Sequence, residues 1–199
     1  MKPRETWGCV PTLQTGTTQL IDNEDKAQAF LDSFFPEMNQ PDPRPQDATE
    51  TELPWQPITE LEIQRALNAT KGTTAPGEDG LPMLVWKKLW SHLKGIITSV
   101  FSASLNLTYH PKQWRSAKIV VLRKPAKPDY SIPGVYRPIS LLNTLGKLLE
   151  AVVARRLSFL AEKHKLLPNS QFGGRPGRTT EQALLVLSNA IEHAWYKQK

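Results

Sequence analysis

Prolines constrain the fold of this chain more than any other single feature of its sequence. The chain has 17 Pro among 199 residues, and six of them fall between residues 36 and 57 among acidic and polar side chains. Proline removes a backbone donor and fixes φ, so this composition favours an extended or disordered linker. We therefore predict that residues 1–57 form an N-terminal extension with a Pro-rich acidic linker, and that residues 58–199 form the main domain.

The extension contains one predicted helix, at about residues 23–35. Asp22 has the side chain of a helix N-cap, and Pro36 ends the pattern. The apolar face at helical spacing consists of Ala27, Phe30, Leu31 and Phe34. Residues 1–21 show no clear period.

Helical patterns dominate residues 58–199. Thr59 with Glu62, and Thr179 with Gln182, have the spacing of capping boxes that begin helices. The longest amphipathic segment is 81–107, with Val85, Leu89, Leu93, Ile96 and Val100 on one stripe. Two further helices have apolar positions at Leu145, Leu148, Leu149, Val152, Val153, Leu157 and Leu160, and at Leu184, Leu187, Ile191 and Ala194.

Extended structure is predicted in one region only. Residues 119–122 are β-branched or apolar and are bounded by charge, and residues 136–142 form a possible second extended segment. The predicted fold class is therefore α+β, mostly α, with a small β element around residues 117–142.

Charge is distributed unevenly along the chain. Residues 1–70 hold 5 Lys/Arg against 12 Asp/Glu, whereas residues 71–199 hold 20 against 7. A basic body of this size suits a polyanion such as nucleic acid, although a solvated basic surface explains the charge equally well. No apolar run is long enough for a membrane span, no secretory signal is evident, and Cys9 is the only cysteine. These features predict an intracellular protein.

Two basic segments are candidate phosphate-binding sites. Lys118, Arg123, Lys124 and Arg137 lie on the predicted strands and their loop, where a rigid base would present them to phosphates. The alternative is a hairpin edge protected by charge, and the spacing leaves both open. The second segment, 171–178, precedes a helix and contains glycines with two arginines. From the residues alone, a helix-entry turn with solvated arginines is the better interpretation.

Metal-ion chemistry finds no support in the acidic residues. Phosphoryl transfer with two metal ions needs at least two converging carboxylates. Asp79 lies in the glycine-rich loop 72–80 and is interpreted as a turn residue. The only later aspartate is Asp129, and the later glutamates are interpreted as helix surface. We predict neither a metal site nor a bound cofactor in this chain.

Four motifs in order give the chain a family resemblance. They are Ala-Pro-Gly-Glu-Asp-Gly at 75–80, Ala-Lys-Ile-Val-Val-Leu-Arg-Lys-Pro-Ala-Lys-Pro at 117–128, Tyr-Arg-Pro-Ile-Ser-Leu-Leu at 136–142 with Gly-Lys-Leu-Leu-Glu at 146–150, and Gln-Phe-Gly-Gly-Arg-Pro-Gly-Arg-Thr-Thr-Glu-Gln-Ala-Leu at 171–184. The chain resembles the N-terminal part of the reverse transcriptase domain of non-LTR (LINE-like) retrotransposons, in a style similar to fungal elements. The resemblance implies the fingers and upper palm of a right-hand polymerase.

The resemblance also implies roles for the basic residues. Lys124 and Arg137 match residues that bind the triphosphate of the incoming nucleotide. Residues near the template or nucleic acid are Lys118, Arg123, Gln171, Gly173, Arg175 and Arg178. In the intact family the enzyme extends a DNA primer along an RNA template, using dNTPs and Mg²⁺.

The family's catalytic aspartates would lie beyond Lys199, so the chain alone is expected to be an inactive fragment of an RNA-directed DNA polymerase. A nuclear location is expected from the family, with a mitochondrial one left open. Two alternatives to the polymerase interpretation are a non-catalytic nucleic-acid-binding module and a helical scaffold.

Overall fold

The computed structural model describes residues 10–36 and 55–197, and over these ranges the chain is an α+β protein in which helices predominate. Two antiparallel hairpins supply its strands. In chain order the elements are β1 (Leu13–Thr15), β2 (Thr18–Leu20), α1 (Asn23–Phe34), α2 (Glu60–Ala69), α3 (Met83–Asn106), α4 (Lys112–Arg115), β3 (Ala117–Arg123), a 3₁₀ turn (Pro133–Val135), β4 (Tyr136–Leu142), α5 (Thr144–Lys163) and α6 (Thr180–Lys197). The predicted fold class is confirmed at this level.

Helix starts follow the capping chemistry that the sequence predicts. The Asp22 carboxylate accepts a hydrogen bond from the Glu24 amide at 2.8 Å and caps α1. Thr59 and Glu62 form a complete capping box at the start of α2. The same reciprocal pair joins Thr179 and Gln182 before α6. Each cap satisfies amides that lack a partner within their helix, so the three starts were visible in the sequence.

The main core lies between α2, α3, α4 and α5. Its buried apolar residues are Ile58, Ile63, Ala66, Leu67, Met83, Trp90, Ile97, Phe101, Trp114, Leu148, Leu149 and Val152. Phe101 and Trp114 meet edge to face with their ring centroids 5.8 Å apart. Gly146 allows α5 to approach α4 closely, because a Cβ at this position would lie 2.9 Å from Trp114 Cβ. Burial of these large side chains is the main stabilising contribution to the helical body.

The apolar stripe predicted on α3 lies only partly against the core, because Leu93 packs there while other members of the stripe are exposed. Leu89, Ile96 and Val100 are exposed, with 64% of Ile96 accessible, while Trp90 and Phe101 lie among the buried residues of the helix. Apolar residues occur on two stripes of α3, and the stripe that carries the large aromatic side chains faces the core. Aromatic rings remove the greatest area from water, which favours that choice.

A second, smaller core joins the N-terminal segment to the β3–β4 hairpin. Leu13, Phe30 and Tyr136 are buried together, and Phe30 meets Tyr136 edge to face at 5.0 Å. The Gln14 amide also donates to the Ser131 carbonyl at 2.7 Å. The β1–β2 hairpin was not predicted, because its three-residue strands are too short to show a period. On α1, the predicted face is only partly correct, since Leu31 is 45% exposed.

Helix α6 forms where predicted, but its apolar face is not covered. None of its described residues is buried, and the side chains of Leu184, Leu187 and Ile191 are all exposed. Periodicity identifies an apolar face without identifying what covers it, and nothing within residues 10–36 and 55–197 packs over this one. The expectation that these side chains face inward is therefore wrong for the described part of the chain.

The predicted linker, 36–57, falls largely on residues 37–54, which lie outside the described residues. Its last three residues are described and contact α5. The Arg156 guanidinium donates to the carbonyls of Gln56 and Pro57 and lies 5.3 Å from the centre of the Trp55 ring. Residues from Trp55 onward therefore pack against the helical body. In the part of the chain that is described, no helix is both long and apolar enough to cross a membrane.

Candidate nucleotide and nucleic-acid binding site

The β3–β4 hairpin positions four of the predicted site residues. Its strands pair from Ala117 with Leu142 to Arg123 with Tyr136, and Leu122 pairs with Arg137. Side chains alternate between the two faces of a strand, so cross-strand partners share a face. Lys118, Leu122 and Arg137 therefore lie on one face of the hairpin.

Lys124 and Arg137 come together at one end of this hairpin. The Lys124 amide continues the ladder by donating to the Val135 carbonyl at 2.9 Å. Because Leu122 pairs with Arg137, Lys124 is the diagonal neighbour of Arg137. The Cα atoms of such diagonal neighbours are about 7–8 Å apart. The Arg137 residue is exposed. The Lys124 ammonium donates to the Gly134 carbonyl at 2.7 Å, which holds it at the loop of the hairpin.

Lys118 lies on the same face of the hairpin as Arg137 but farther along the strands. Its partner in the ladder is Leu141, four residues from Arg137. At roughly 3.3 Å per residue, this places the two about 13 Å apart along the strand. The exposed Lys118 is thus separate from the Lys124–Arg137 pair.

Arg123 lies on the opposite face, where it contributes to tyrosine packing. Its guanidinium carbon is 5.1 Å from the centre of the Tyr130 ring, and its cross-strand partner is the buried Tyr136. Burial raises the pKa of Tyr136, and the neighbouring Arg123 partly offsets this effect. The Tyr136 hydroxyl donates to the Tyr130 carbonyl at 2.8 Å, and the Tyr130 hydroxyl donates to the Lys124 carbonyl at 3.0 Å. The tyrosines therefore support the loop from which Lys124 projects.

The segment 171–178 is organised around Arg175. Its guanidinium binds both carboxylate oxygens of Glu162 at 2.8 Å and donates to the Pro168 carbonyl at 2.8 Å. Only 7% of the Arg175 side chain is exposed. The hydrogen bonds from Arg175 lower the pKa of Glu162. A bidentate pair of this kind fixes a loop in one geometry, so Arg175 fastens the segment to the end of α5.

The other predicted residues of this segment are more accessible. Arg178 lies 5.1 Å from the centre of the Phe172 ring and donates to the Asn169 carbonyl at 3.4 Å. Gln171 is exposed, and its side-chain amide donates to the Gly173 carbonyl at 3.0 Å. The left-handed positions are the next two glycines, at 174 and 177, with φ of 73° and 70°. The turn before α6 therefore depends on these two glycines.

A further set of residues, not identified from the sequence, fixes the junction between β4 and α5. The buried Thr144 hydroxyl donates to the Leu81 carbonyl and accepts from the Trp86 indole, both at 2.7 Å. Asn143 accepts from the Asp79 amide at 3.4 Å. The Asp79 carboxylate itself accepts from the Leu81 amide at 3.1 Å, as predicted for a turn residue. The sequence did offer a signal for this junction, since the polar residues Asn143 and Thr144 stand between the predicted extended segment and the predicted helix.

The acidic residues of the described part of the chain do not form a metal site. Across residues 10–36 and 55–197, no three His, Cys, Asp or Glu side chains converge to hold a metal ion. Asp129 binds the amide and hydroxyl of Ser131 instead, and these hydrogen bonds lower its pKa. The Mg²⁺ implied by the resemblance therefore does not fit the side chains in this part of the chain.

Comparison with known proteins finds similar polymerases of retrotransposons. The chain is 36% identical over 143 residues to a probable RNA-directed DNA polymerase from transposon BS of Drosophila melanogaster, an alignment that covers 72% of this chain and 16% of the relative. It is 33% identical over 141 residues to the RNA-directed DNA polymerase from the mobile element jockey of the same species, with 70% and 15% covered. The chain is thus similar to a segment of RNA-directed DNA polymerases from retrotransposons.

A third relative extends the similarity over nearly the whole chain. The putative 115 kDa protein of the type-1 retrotransposable element R1DM of Drosophila melanogaster is 32% identical over 188 residues, covering 92% of this chain and 17% of the relative. No protein-family model matches the chain. The chain spans about one sixth of the length of these curated relatives.

Proposed function

We propose that this segment is the fingers side and upper palm of a right-hand polymerase, and that Lys124 and Arg137 bind the triphosphate of an incoming nucleotide. The observation that carries the proposal is their position as diagonal neighbours at the loop end of the β3–β4 hairpin. The homology to RNA-directed DNA polymerases supports the choice of a nucleotide as ligand.

The two cations suit a triphosphate because they differ in geometry. The Lys124 ammonium is a compact point charge that can leave the Gly134 carbonyl for a phosphate oxygen. The Arg137 guanidinium is a planar fork that binds two oxygens at once. Together they would neutralise charge on different phosphates, on a hairpin whose tyrosine hydrogen bonds hold the loop in place.

In the intact polymerase we propose the reaction of its relatives' class, in which a primer 3′-OH attacks a dNTP along an RNA template and releases pyrophosphate. Magnesium chemistry needs converging carboxylates, and the side chains described here do not supply them. This chain's residues would bind and orient the nucleotide. A nuclear location and a likeness to fungal elements remain proposals based on the resemblance.

The segment 171–178 would lie beside the template strand. Gln171, Gly173 and Arg178 are the accessible candidates for contact, as is Lys118 on the hairpin. Arg175 acts instead as a positioning residue, because its guanidinium is already bound to Glu162. Arg123 likewise packs against tyrosines, so its contribution to nucleic-acid binding would be through the general charge of the hairpin.

The test is dNTP binding to the 199-residue chain, measured by isothermal titration calorimetry. Each hydrogen bond to a charged group contributes about 1.5–3 kcal/mol, so Lys124→Ala with Arg137→Ala should weaken binding by about a hundredfold or more. Lys88→Ala, an exposed cation on α3, is the control and should have no effect. Equal affinities for all three proteins would contradict the assignment and favour a nucleic-acid-binding module or a helical scaffold.

A further inference from the structure

A groove of about 210 Å³ lies between α2 and α5, and none of the residues assigned above to nucleotide or template binding lines it. Its lining is largely basic and aromatic. The residues that line it are Glu62, Arg65, Val152, Arg155, Arg156 and Phe159.

The charges of the groove leave an excess of cations. Arg156 and Glu62 bind each other at 2.7 Å and neutralise one another. Arg65 and Arg155 are exposed, and among the described residues neither has an ion-pair partner. Two arginines that line the groove therefore carry charge that no ion pair compensates in the described part of the chain, and such charge attracts anions.

An exposed aromatic ring lies within this basic surface. Phe159 is 63% accessible, and the Lys163 ammonium is 5.8 Å from its ring centre. Arg155, Phe159 and Lys163 follow one another at intervals of four residues along α5, so they share one side of the helix. The ring and the cations thus form a continuous strip beside the groove.

We propose that this groove binds single-stranded RNA. Arg65, Arg155 and Lys163 would bind successive phosphates, and an unpaired base would stack on Phe159, as in other single-strand binding surfaces that combine cations with exposed rings. The choice of RNA rests on the proposed function, in which the unpaired strand is an RNA template. A duplex offers no free base face for this ring.

The test uses the 199-residue chain and a labelled oligouridylate RNA of about 12 nucleotides, with fluorescence anisotropy at several salt concentrations. Replacing Arg65 and Arg155 by Gln should reduce the slope of log affinity against log salt by about 1.4, since each phosphate contact on a single strand contributes about 0.7. The matched control replaces Lys71 and Lys88, exposed cations outside the groove, by Gln. It should leave the slope unchanged.

The stacking contact has its own prediction. Phe159→Ala should weaken RNA binding by about five- to hundredfold, the range for loss of one base–aromatic stack, with the salt slope unchanged. Phe159→Tyr should restore the affinity. Lys124→Ala with Arg137→Ala should lower dNTP affinity without changing RNA affinity, so the proposal for the groove and that for the hairpin can fail separately.

The proposal is overturned if the groove variants bind RNA as the Lys71 and Lys88 control does. It is also overturned if oligothymidylate DNA or duplex RNA of the same length binds as tightly as the single-stranded RNA.

Discussion

The close contact between the 75–80 loop and the start of α5 leads to a sharp prediction for Gly77→Ala. A Cβ at Gly77 would lie 2.3 Å from Asn143 Oδ1, 2.5 Å from the Asn143 amide nitrogen and 2.6 Å from the Leu142 carbonyl carbon. Two of these three atoms belong to the backbone, so rotation of a side chain cannot relieve the overlap. The loop has to separate from the β4–α5 junction.

The expected cost follows from this separation. Overpacking costs about 1–3 kcal/mol, and loss of the hydrogen bond from the Asp79 amide to Asn143 adds about 0.5–1.5 kcal/mol. The free energy of unfolding should therefore fall by about 2–4 kcal/mol. With a denaturant slope of about 2 kcal/mol per molar urea, the midpoint of unfolding should drop by about 1–2 M.

Gly95→Ala is the matched control, since the substitution is the same but the position has open space where Gly77 has close neighbours. Gly95 lies within α3, where an added Cβ meets nothing within 4 Å. Alanine is favoured over glycine in a helix by about 0.5–1 kcal/mol, so the urea midpoint should rise by a few tenths molar. Both variants are compared with the parent chain by circular dichroism in urea. A midpoint for Gly77→Ala within 0.2 M of the parent, beside a stabilised Gly95→Ala, would refute the packing argument.

Three further predictions concern charge and activity. The hydrogen bond from Arg156 lowers the pKa of Glu62 from 4.5 to about 2. The resulting stabilisation of the folded state is on the order of 1–2 kcal/mol after solvent screening. It is complete above pH 4.5 and is lost as the pH falls toward 2. Glu62→Gln should remove this pH dependence in acid titrations of the unfolding midpoint, and an unchanged acid limb would contradict it. Arg175→Ala should lower the urea midpoint more than Arg178→Ala, because Arg175 holds Glu162 through two hydrogen bonds; equal midpoints would make Arg175 a surface cation. The purified 199-residue chain should not extend a primer, because Asp129 and Glu162 lie on separate elements and each has its own partner. Mg²⁺-dependent dNTP incorporation that persists after contaminants are removed would show that a catalytic centre had been missed.

The sequence by itself determined the local structure and the family resemblance. Capping boxes at Thr59 and Thr179, and β-branched residues near 120, rely on contacts between residues close in the chain, so their outcome could be predicted. The order of four motifs, each weak alone, led to the family that the curated relatives support.

Only the tertiary structure decided how those elements face one another. Helix α3 has two apolar stripes, and the partner surface of α2 and α5 selected the one with Trp90 and Phe101. Arg123 and Lys124 are adjacent in sequence, yet the register with β4 directs Arg123 toward the tyrosines, on the face opposite Arg137. Arg175 is predicted to lie near the template, and only the fold shows that its guanidinium also binds Glu162. These choices depend on pairing, packing and ion pairs between distant residues, for which a single sequence carries no local signal.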